Sequence, residues 1–279
     1  EQVDAVAGIA LYAPHFNEYA DLPFEPLENG LSAYFMQVPC SWGQAWTASQ
    51  WRAFREWYTA ANENIVSENA RVPAKVALWS EQSWKKYFVA YLAESGKSFV
   101  YPYTAYTTNC ADSGAHVRRR DDTLQVPLPD PSRDFIVPVF PEYGNETVAY
   151  DVFMEPNLQL DLESLSLPAG KVVVDFYRSK PLSLLREGDY CLTTRPVRAA
   201  AASFPMRFRP LPINVSPDKV NDGSIYLCLP EDLYENEPWL KALSAGFWLR
   251  WYFQPGPRSG LSLVLFGLAA LARRLLARD

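Results

Sequence analysis

The chain lacks a basic excess and a long apolar run, and each shortage excludes a class of protein. Its 279 residues include 26 basic and 32 acidic side chains, giving a formal net charge of -6. A nucleic-acid-binding surface needs a positive excess, so we expect no nucleic-acid partner. The uncharged part of the C-terminal tail, residues 259–272, has 14 residues. A membrane-spanning helix needs about 20, so this stretch is too short to span a bilayer.

Cysteine is scarce, and several familiar motifs are missing. The four cysteines stand at positions 40, 110, 191 and 228, too far apart for a Cys-x-x-Cys pair. This excludes a zinc ribbon and a thioredoxin-type site, while an even number permits disulfides without demanding them. The sequence has no Gly-x-Ser-x-Gly elbow, no Gly-x-x-x-x-Gly-Lys phosphate loop, no His-Glu-x-x-His and no Asp-x-Asp. Serine hydrolase, phosphate-loop and zinc protease chemistry therefore have no support.

The first third of the chain alternates strand and helix signals. The apolar run Val6–Tyr12 predicts a buried strand, and residues 21–40 are interrupted by proline and glycine and are expected to be a loop. Thr47 is placed to cap a helix whose apolar residues recur every three or four positions. A second helix is predicted from near Ser80 to Gly96, with its lysines facing away from the core.

After residue 120 the pattern changes to short β-rich runs separated by proline, glycine and aspartate. The runs are 123–128, 134–140, 148–153, 171–177, 190–194, 204–208 and 224–229. Such spacing predicts a β-sandwich or a curled antiparallel sheet. We therefore expect an α+β protein with domains at 1–119, 120–235 and 236–279, the boundary between the first two lying near 119–122.

The C-terminal tail is amphipathic and then apolar. Leu261–Leu276 reads as a helix ending among arginines, which favours contact with a membrane surface or a partner, or packing on the body of the protein. Glu1 is not an initiator methionine, and the opening residues resemble a strand rather than a signal peptide. We expect the chain to be a piece of a longer protein. Asn145-Glu146-Thr147 and Asn214-Val215-Ser216 are formal N-glycosylation triplets.

Aromatic, amide and hydroxyl side chains are concentrated between Cys40 and His116. Three blocks stand out: Ser41-Trp42-Gly43, Ser83-Trp84-Lys85-Lys86, and Thr108-Asn109 followed after four residues by Gly114-Ala115-His116. Their order resembles the acceptor-side half of GT-A glycosyltransferases of the family 2 type, and more distantly N-acetylglucosaminyltransferase I. A weaker likeness continues through Thr193-Thr194-Arg195-Pro196 to Asn214.

The resemblance implies an inverting transferase that uses a nucleotide-diphosphate sugar and a glycan acceptor in polysaccharide or glycan synthesis. Such enzymes commonly hold a divalent metal, manganese or magnesium, with an Asp-x-Asp motif. Because that motif is absent here, we expect the metal ligands and the donor site to lie mostly outside this chain. The resemblance covers roughly residues 3–118. It leaves the compartment open between a secretory lumen and the cytoplasmic face of a bacterial inner membrane.

Several residues are candidates for holding a saccharide. Ser41, Gln44 and Asn109 offer hydroxyl and amide groups that read sugar hydroxyls. Trp42 and Trp84 offer flat apolar faces for the C–H side of a pyranose, and Gly43 allows the backbone to approach a ligand closely. The competing interpretation is that these tryptophans fill a core.

The catalytic candidates are two carboxylates, and one histidine is a further candidate for binding the substrate. By resemblance, the residue before Trp84 would be the base, but Ser83 has an alcohol that cannot serve. Glu81 is the nearest carboxylate and acts either as the base or as a favourable charge at a helix N-terminus. Asp112 is the second candidate base, and by resemblance His116 would face the nucleotide diphosphate or its metal. The alternative hypothesis is a glycan-binding or structural module without catalysis.

Overall fold

A computed structural model of the chain describes residues 2–61, 65–111, 122–130, 139, 142, 147–219, 223–234, 247–248 and 251–252. The strands are β1 (Val6–Ala10), β2 (Phe16–Asn17), β3 (Leu22–Pro23), β4 (Ala33–Met36), β5 (Gln44–Ala45), β6 (Ser98–Pro102), β7 (Ala149–Tyr150), β8 (Val172–Asp175), β9 (Tyr190–Thr193), β10 (Ala202–Phe204) and β11 (Ile225–Cys228). The helices are α1 (Ala48–Ala60), α2 (Ala74–Ala77), α3 (Trp84–Ser95) and α4 (Leu182–Leu185). The protein is therefore of the mixed α+β class.

The first sheet has five strands in the order β5-β1-β6-β4-β7. Strand β1 pairs with β6 in parallel and with β5 antiparallel, while β4 runs antiparallel to β6 and parallel to β7. One core cluster includes Tyr34 and Phe99 of this sheet together with Phe54 of α1 and Phe88 of α3. The rings of Phe88 and Phe99 are 5.6 Å apart. Helices α1 and α3 thus contribute to the same core as the sheet.

Local capping signals fix the start of α1 and the end of α3 as predicted. The Thr47 hydroxyl accepts the N–H of Gln50, whose side chain accepts the N–H of Thr47, a reciprocal capping box that begins α1. Helix α3 begins at Trp84 rather than near Ser80, and it ends at Gly96, whose φ of 68° suits glycine.

The expectation of a loop over residues 21–40 is wrong at its centre. Residues Ala33–Met36 form β4, which lies inside the first sheet and is buried at all four positions. A strand buried on both faces shows no alternation of apolar and polar residues, so the pattern that identifies half-buried strands is absent.

The second sheet has four strands in the order β10-β11-β9-β8. Strands β8 and β9 are parallel, with Asp175 opposite Thr193, and the other pairs are antiparallel. The sequence predicted a β-sandwich or a curled antiparallel sheet, whereas the described residues here form one sheet with mixed parallel and antiparallel pairing. The run 123–128 contains no strand, and most of 134–140 lies outside the described residues.

The described residues up to Asp232 form one compact unit, and those from Leu233 onward belong to a second. The first unit extends across the predicted boundary near 119–122, since β7 pairs with β4. Among the residues that the structure describes, no helix has the length and apolarity needed to cross a bilayer. The predicted tail helix at Leu261–Leu276 lies outside the described residues.

Candidate functional site

The Ser-Trp-Gly block meets the segment before Thr108 where the parallel strands β1 and β6 end. Leu11, directly after β1, donates its N–H to the carbonyl of Gly43 at 2.8 Å and accepts the N–H of Tyr106 at 2.7 Å. The hydroxyl of Thr107 donates to the carbonyl of Trp42 at 2.6 Å. The loop before β5 and the segment after β6 are therefore joined by hydrogen bonds at one edge of the sheet.

Gly43 is required for this junction. Its φ is +74°, and a Cβ added there would lie 2.7 Å from the Thr107 Cγ2 atom. Any larger residue would be strained and would push the two segments apart. Next to it, Gln44 pairs with Ala10, and its buried side-chain carbonyl oxygen has no hydrogen-bond partner among the described residues. That oxygen is an acceptor with unused capacity.

Trp42 lines a cavity of about 30 Å³ together with Ser41 and Lys85. Its ring lies 5.0 Å from that of Tyr12, and Lys85 is paired with Glu18 at 2.5 Å. The Ser-Trp-Lys-Lys block thus reaches the same place through Lys85. A cavity of this size holds about one or two water molecules, so a sugar would contact the outer surface of Trp42 rather than enter.

The other tryptophans are divided between packing and exposure. Trp46 stacks on Trp51 at 5.2 Å and on Phe88 at 5.6 Å, so the core-filling interpretation holds for it. Trp84 lies edge-on to Trp46 at 5.9 Å and is 37% exposed. An exposed fraction of this size leaves part of the Trp84 ring accessible to a ligand.

Glu81 is engaged by two neighbours. One carboxylate oxygen accepts the ammonium of Lys86 at 2.6 Å and the other accepts the hydroxyl of Tyr87 at 2.7 Å. The Lys86 hydrogen bond, followed by that from Tyr87, lowers the pKa of Glu81 below its ordinary range. The bond to Glu81, ahead of burial, raises the pKa of Tyr87 to about 12. The carboxylate is therefore ionised at neutral pH.

The prediction that the lysines of α3 face away from the core is wrong for Lys86, which is buried. Its ammonium donates to the carbonyl oxygens of Ala77 and Trp79 as well as to Glu81. These carbonyls belong to the end of α2 and the turn after it, where helices leave acceptors without partners. Lys86 is buried because the end of a neighbouring helix satisfies its donors.

Of three further candidate site residues, the structure describes one, Asn109. The side-chain oxygen of Asn109 accepts the N–H of Ala111 at 2.7 Å and so shapes a turn. Asp112 and His116 lie outside the described residues.

Asn214 of the second glycosylation triplet is fully buried, and its amide group makes hydrogen bonds with backbone groups of Arg207, Phe208 and Leu211. That amide is inaccessible to a modifying enzyme in the folded protein.

A buried charge network, which the sequence did not predict, lies where the parallel strands β8 and β9 end. Asp175 is fully buried, and one oxygen accepts the Arg195 Nε–H at 2.5 Å. Lys180 is 7% exposed and pairs with Asp151 at 2.5 Å. The sequence offered only a weak likeness at Thr193-Thr194-Arg195-Pro196. The partners of Arg195 become its neighbours only through the pairing of β8 with β9.

Glu155 lies within this network and is fully buried. One of its oxygens accepts the N–H of Tyr177 at 2.6 Å, while the other has no hydrogen-bond partner among the described residues. Burial, reinforced by the carboxylate of Asp175, raises the pKa of Glu155 well above its ordinary value. Burial works against the charge on Lys180, but Asp151 and the other carboxyl groups outweigh it and raise the pKa of Lys180.

The donor set for a metal is not present in the described part of the chain, where no group of three or more histidine, cysteine, aspartate or glutamate side chains is arranged to hold an ion. All four cysteines are free thiols, Cys110 exposed and the others buried. Comparison with family models, with curated proteins and with solved structures found no match to this chain.

Proposed function

We propose that this chain is the acceptor-binding part of an inverting GT-A-type glycosyltransferase, taking a glycan as acceptor and a nucleotide-diphosphate sugar as donor. The observation that supports the proposal is the meeting, around Trp42, of two sequence blocks with the residue before the third. The first two blocks contribute Ser41 and Lys85, and Thr107, directly before the third block, bonds the Trp42 carbonyl at the carboxyl edge of parallel strands. Ligands of open α/β sheets bind at that edge.

The proposal gives each residue a physical task. The exposed part of Trp42 offers an apolar face to the C–H side of a sugar ring, and the hydroxyl of Ser41 bonds its rim. The side-chain oxygen of Gln44, which has no partner among the described residues, would accept a hydrogen bond from a sugar hydroxyl. Glu81 is the base: it is ionised, and a carboxylate with two accepted hydrogen bonds retains further acceptor positions for an acceptor hydroxyl.

The metal does not enter this account. A divalent ion would neutralise the diphosphate leaving group in enzymes of this type. The described residues do not fit it, because they lack a cluster of three donors. The metal ligands and the donor site are expected mostly outside this chain, because the sequence has no Asp-x-Asp motif.

A glycan-binding module without catalysis is the second candidate. It is favoured by the structural role of Glu81, whose carboxylate neutralises the buried Lys86. Both candidates require saccharide binding, and only the first requires turnover. Release of nucleoside diphosphate from a nucleotide sugar distinguishes them, measured with a glycan acceptor present in a longer protein that includes the donor site. Glu81→Gln keeps an acceptor for Lys86 and should abolish that release without unfolding the protein.

Saccharide binding is tested first by calorimetric titration of the chain with a panel of neutral oligosaccharides. Trp42→Ala should weaken binding by about tenfold, the value of one stacked ring. The matched control is Trp57→Ala. Trp57 lies on α1, its indole N–H donates to the Glu94 carboxylate at 2.9 Å, and it takes no part in the proposed contact. Equal losses in both variants would indicate general destabilisation and contradict the assignment.

A further inference from the structure

A polar cavity of about 550 Å³ lies between two sheet edges and shares no lining residue with the cavity beside Trp42. Ala149 of β7 lines one side and residues 172–174 of β8 line the other. Both strands are edge strands of their sheets. We call this cavity the edge cleft. Its volume lies within the range of small-ligand sites, about 300 to 1,000 Å³.

The polar wall of the edge cleft is rigid. Asp151 accepts the N–H groups of Phe153 and Glu155 with one carboxylate oxygen and pairs with Lys180 through the other. The ammonium of Lys180 is held in addition by the carbonyl of Val174 at 2.6 Å. A carboxylate and a nearly buried ammonium, both lining the cavity, are thus fixed before any ligand arrives.

The rest of the lining combines amide and apolar groups. The side chains of Gln37, Asn157 and Gln159 make no hydrogen bond with another residue that the structure describes, so their donors and acceptors are available. Leu158 and Leu184 add apolar surface beside them. Hydroxyl-rich ligands with C–H faces need both kinds of contact.

The charges around the edge cleft are paired. Glu187 is bonded to Arg71 at 2.6 Å and lies 3.8 Å from Lys171, while Asp151 and Lys180 satisfy each other. A site for a strongly charged ligand would instead present unpaired charge of the opposite sign. The arrangement therefore fits an uncharged ligand.

We propose that the edge cleft binds a neutral oligosaccharide of about two or three sugar units, the size that its volume admits. The cleft would be a second glycan site, distinct from the one at Trp42. The choice of a saccharide rests on the proposed function, whereas the existence of a site rests on the cavity and its fixed polar wall.

The experiment uses the full chain with ¹³C-labelled leucine and valine methyl groups and ¹⁵N-labelled indoles. Methyl signals of Leu158, Val172 and Leu184 report on the edge cleft, and the indole signal of Trp42 reports on the other site. The probes are neutral trisaccharides of glucose, galactose, mannose or N-acetylglucosamine. We expect at least one probe to shift the cleft methyl signals in a saturable manner.

Variants test whether the amide side chains of the edge cleft bind the saccharide. The double substitution Asn157→Ala with Gln159→Ala changes two exposed side chains and should weaken the cleft response by about tenfold or more. Gln125→Ala is the control, because Gln125 is an exposed amide that does not line the cleft. An unchanged response in the double variant would overturn the proposal.

The two reporter sets separate the possible failures. Saturable shifts of the cleft methyl signals alone would support the second site and contradict the Trp42 assignment. Shifts at Trp42 alone would overturn the edge-cleft proposal and leave the proposed function standing. Cleft shifts with an extended valine- and threonine-rich peptide but with no trisaccharide would identify a strand-docking edge and also overturn it.

Discussion

Replacing Glu155 by glutamine should change how stability depends on pH. Glu155 is fully buried, and burial raises its pKa well above the ordinary value of 4.5. The folded protein therefore keeps a proton that the unfolded chain releases once the pH exceeds that value. Since the folded state then binds more protons than the unfolded state, the free energy of unfolding falls as the pH rises.

The size of the effect follows from the pH interval. Each pH unit between the unfolded and folded pKa values removes up to about 1.4 kcal/mol from the free energy of unfolding. Between about pH 5 and about pH 7 the wild-type protein should therefore lose up to about 2.7 kcal/mol through this residue. Glutamine is neutral and of the same size, so Glu155→Gln should remove that loss.

The assay is urea unfolding followed by tryptophan fluorescence at both pH values. Glu155→Gln should be more stable relative to wild type at the higher pH than at the lower pH. Glu163→Gln, which changes an exposed carboxyl, is the control and should show the same change in the free energy of unfolding between the two pH values as the wild type. If Glu155→Gln showed the wild-type dependence on pH, Glu155 would be ionised in the folded state, and the argument from burial would be refuted.

Three substitutions test other parts of the structure through urea unfolding. Gly43→Ala should lower the free energy of unfolding by about 3 kcal/mol, because Gly43 has a positive φ and an added Cβ would clash with Thr107. Gly30→Ala, with a φ of +82° and open space around it, should lower it by only about 1 kcal/mol. Equal losses would contradict the close approach at Gly43. Asn214→Ala should lower the free energy of unfolding by about 3 kcal/mol because the four hydrogen bonds of a buried side chain are lost, and a loss below about 1 kcal/mol would contradict that role. Lys86→Met should lower the free energy of unfolding by about 2 to 3 kcal/mol, because it removes the buried partner of Glu81. Lys75→Met, which removes an exposed ion pair, should lower it by under about 1 kcal/mol.

Local signals in the sequence were sufficient for the start of α1 and the end of α3, but not for the start of α3. Thr47 with Gln50 begins α1, and Gly96 ends α3, because each requires only residues within one turn. Strand β4 was missed because burial of both its faces removes the alternating pattern. The burial of Lys86 was missed because its acceptors belong to the turn between two helices.

The candidate site divides in the same way. The sequence identified Ser41, Trp42 and Gly43, and in the structure Trp42 is joined to Thr107 by a hydrogen bond, with Gly43 packed against Thr107, contacts that no local pattern encodes. The Asp175–Arg195 pair depends on the parallel pairing of β8 and β9, a contact between segments that are distant in the sequence. Burial of charge needs its partners in place, so composition alone cannot indicate it.

The claim tested most directly by one measurement is that the surface around Trp42 binds a glycan. That measurement is the ¹⁵N indole spectrum of the chain during titration with neutral oligosaccharides. The account predicts a saturable shift of the Trp42 signal, while the signal of Trp51, stacked against Trp46 in the aromatic cluster, stays in place. A Trp42 signal that does not move with any oligosaccharide at millimolar concentration would contradict it.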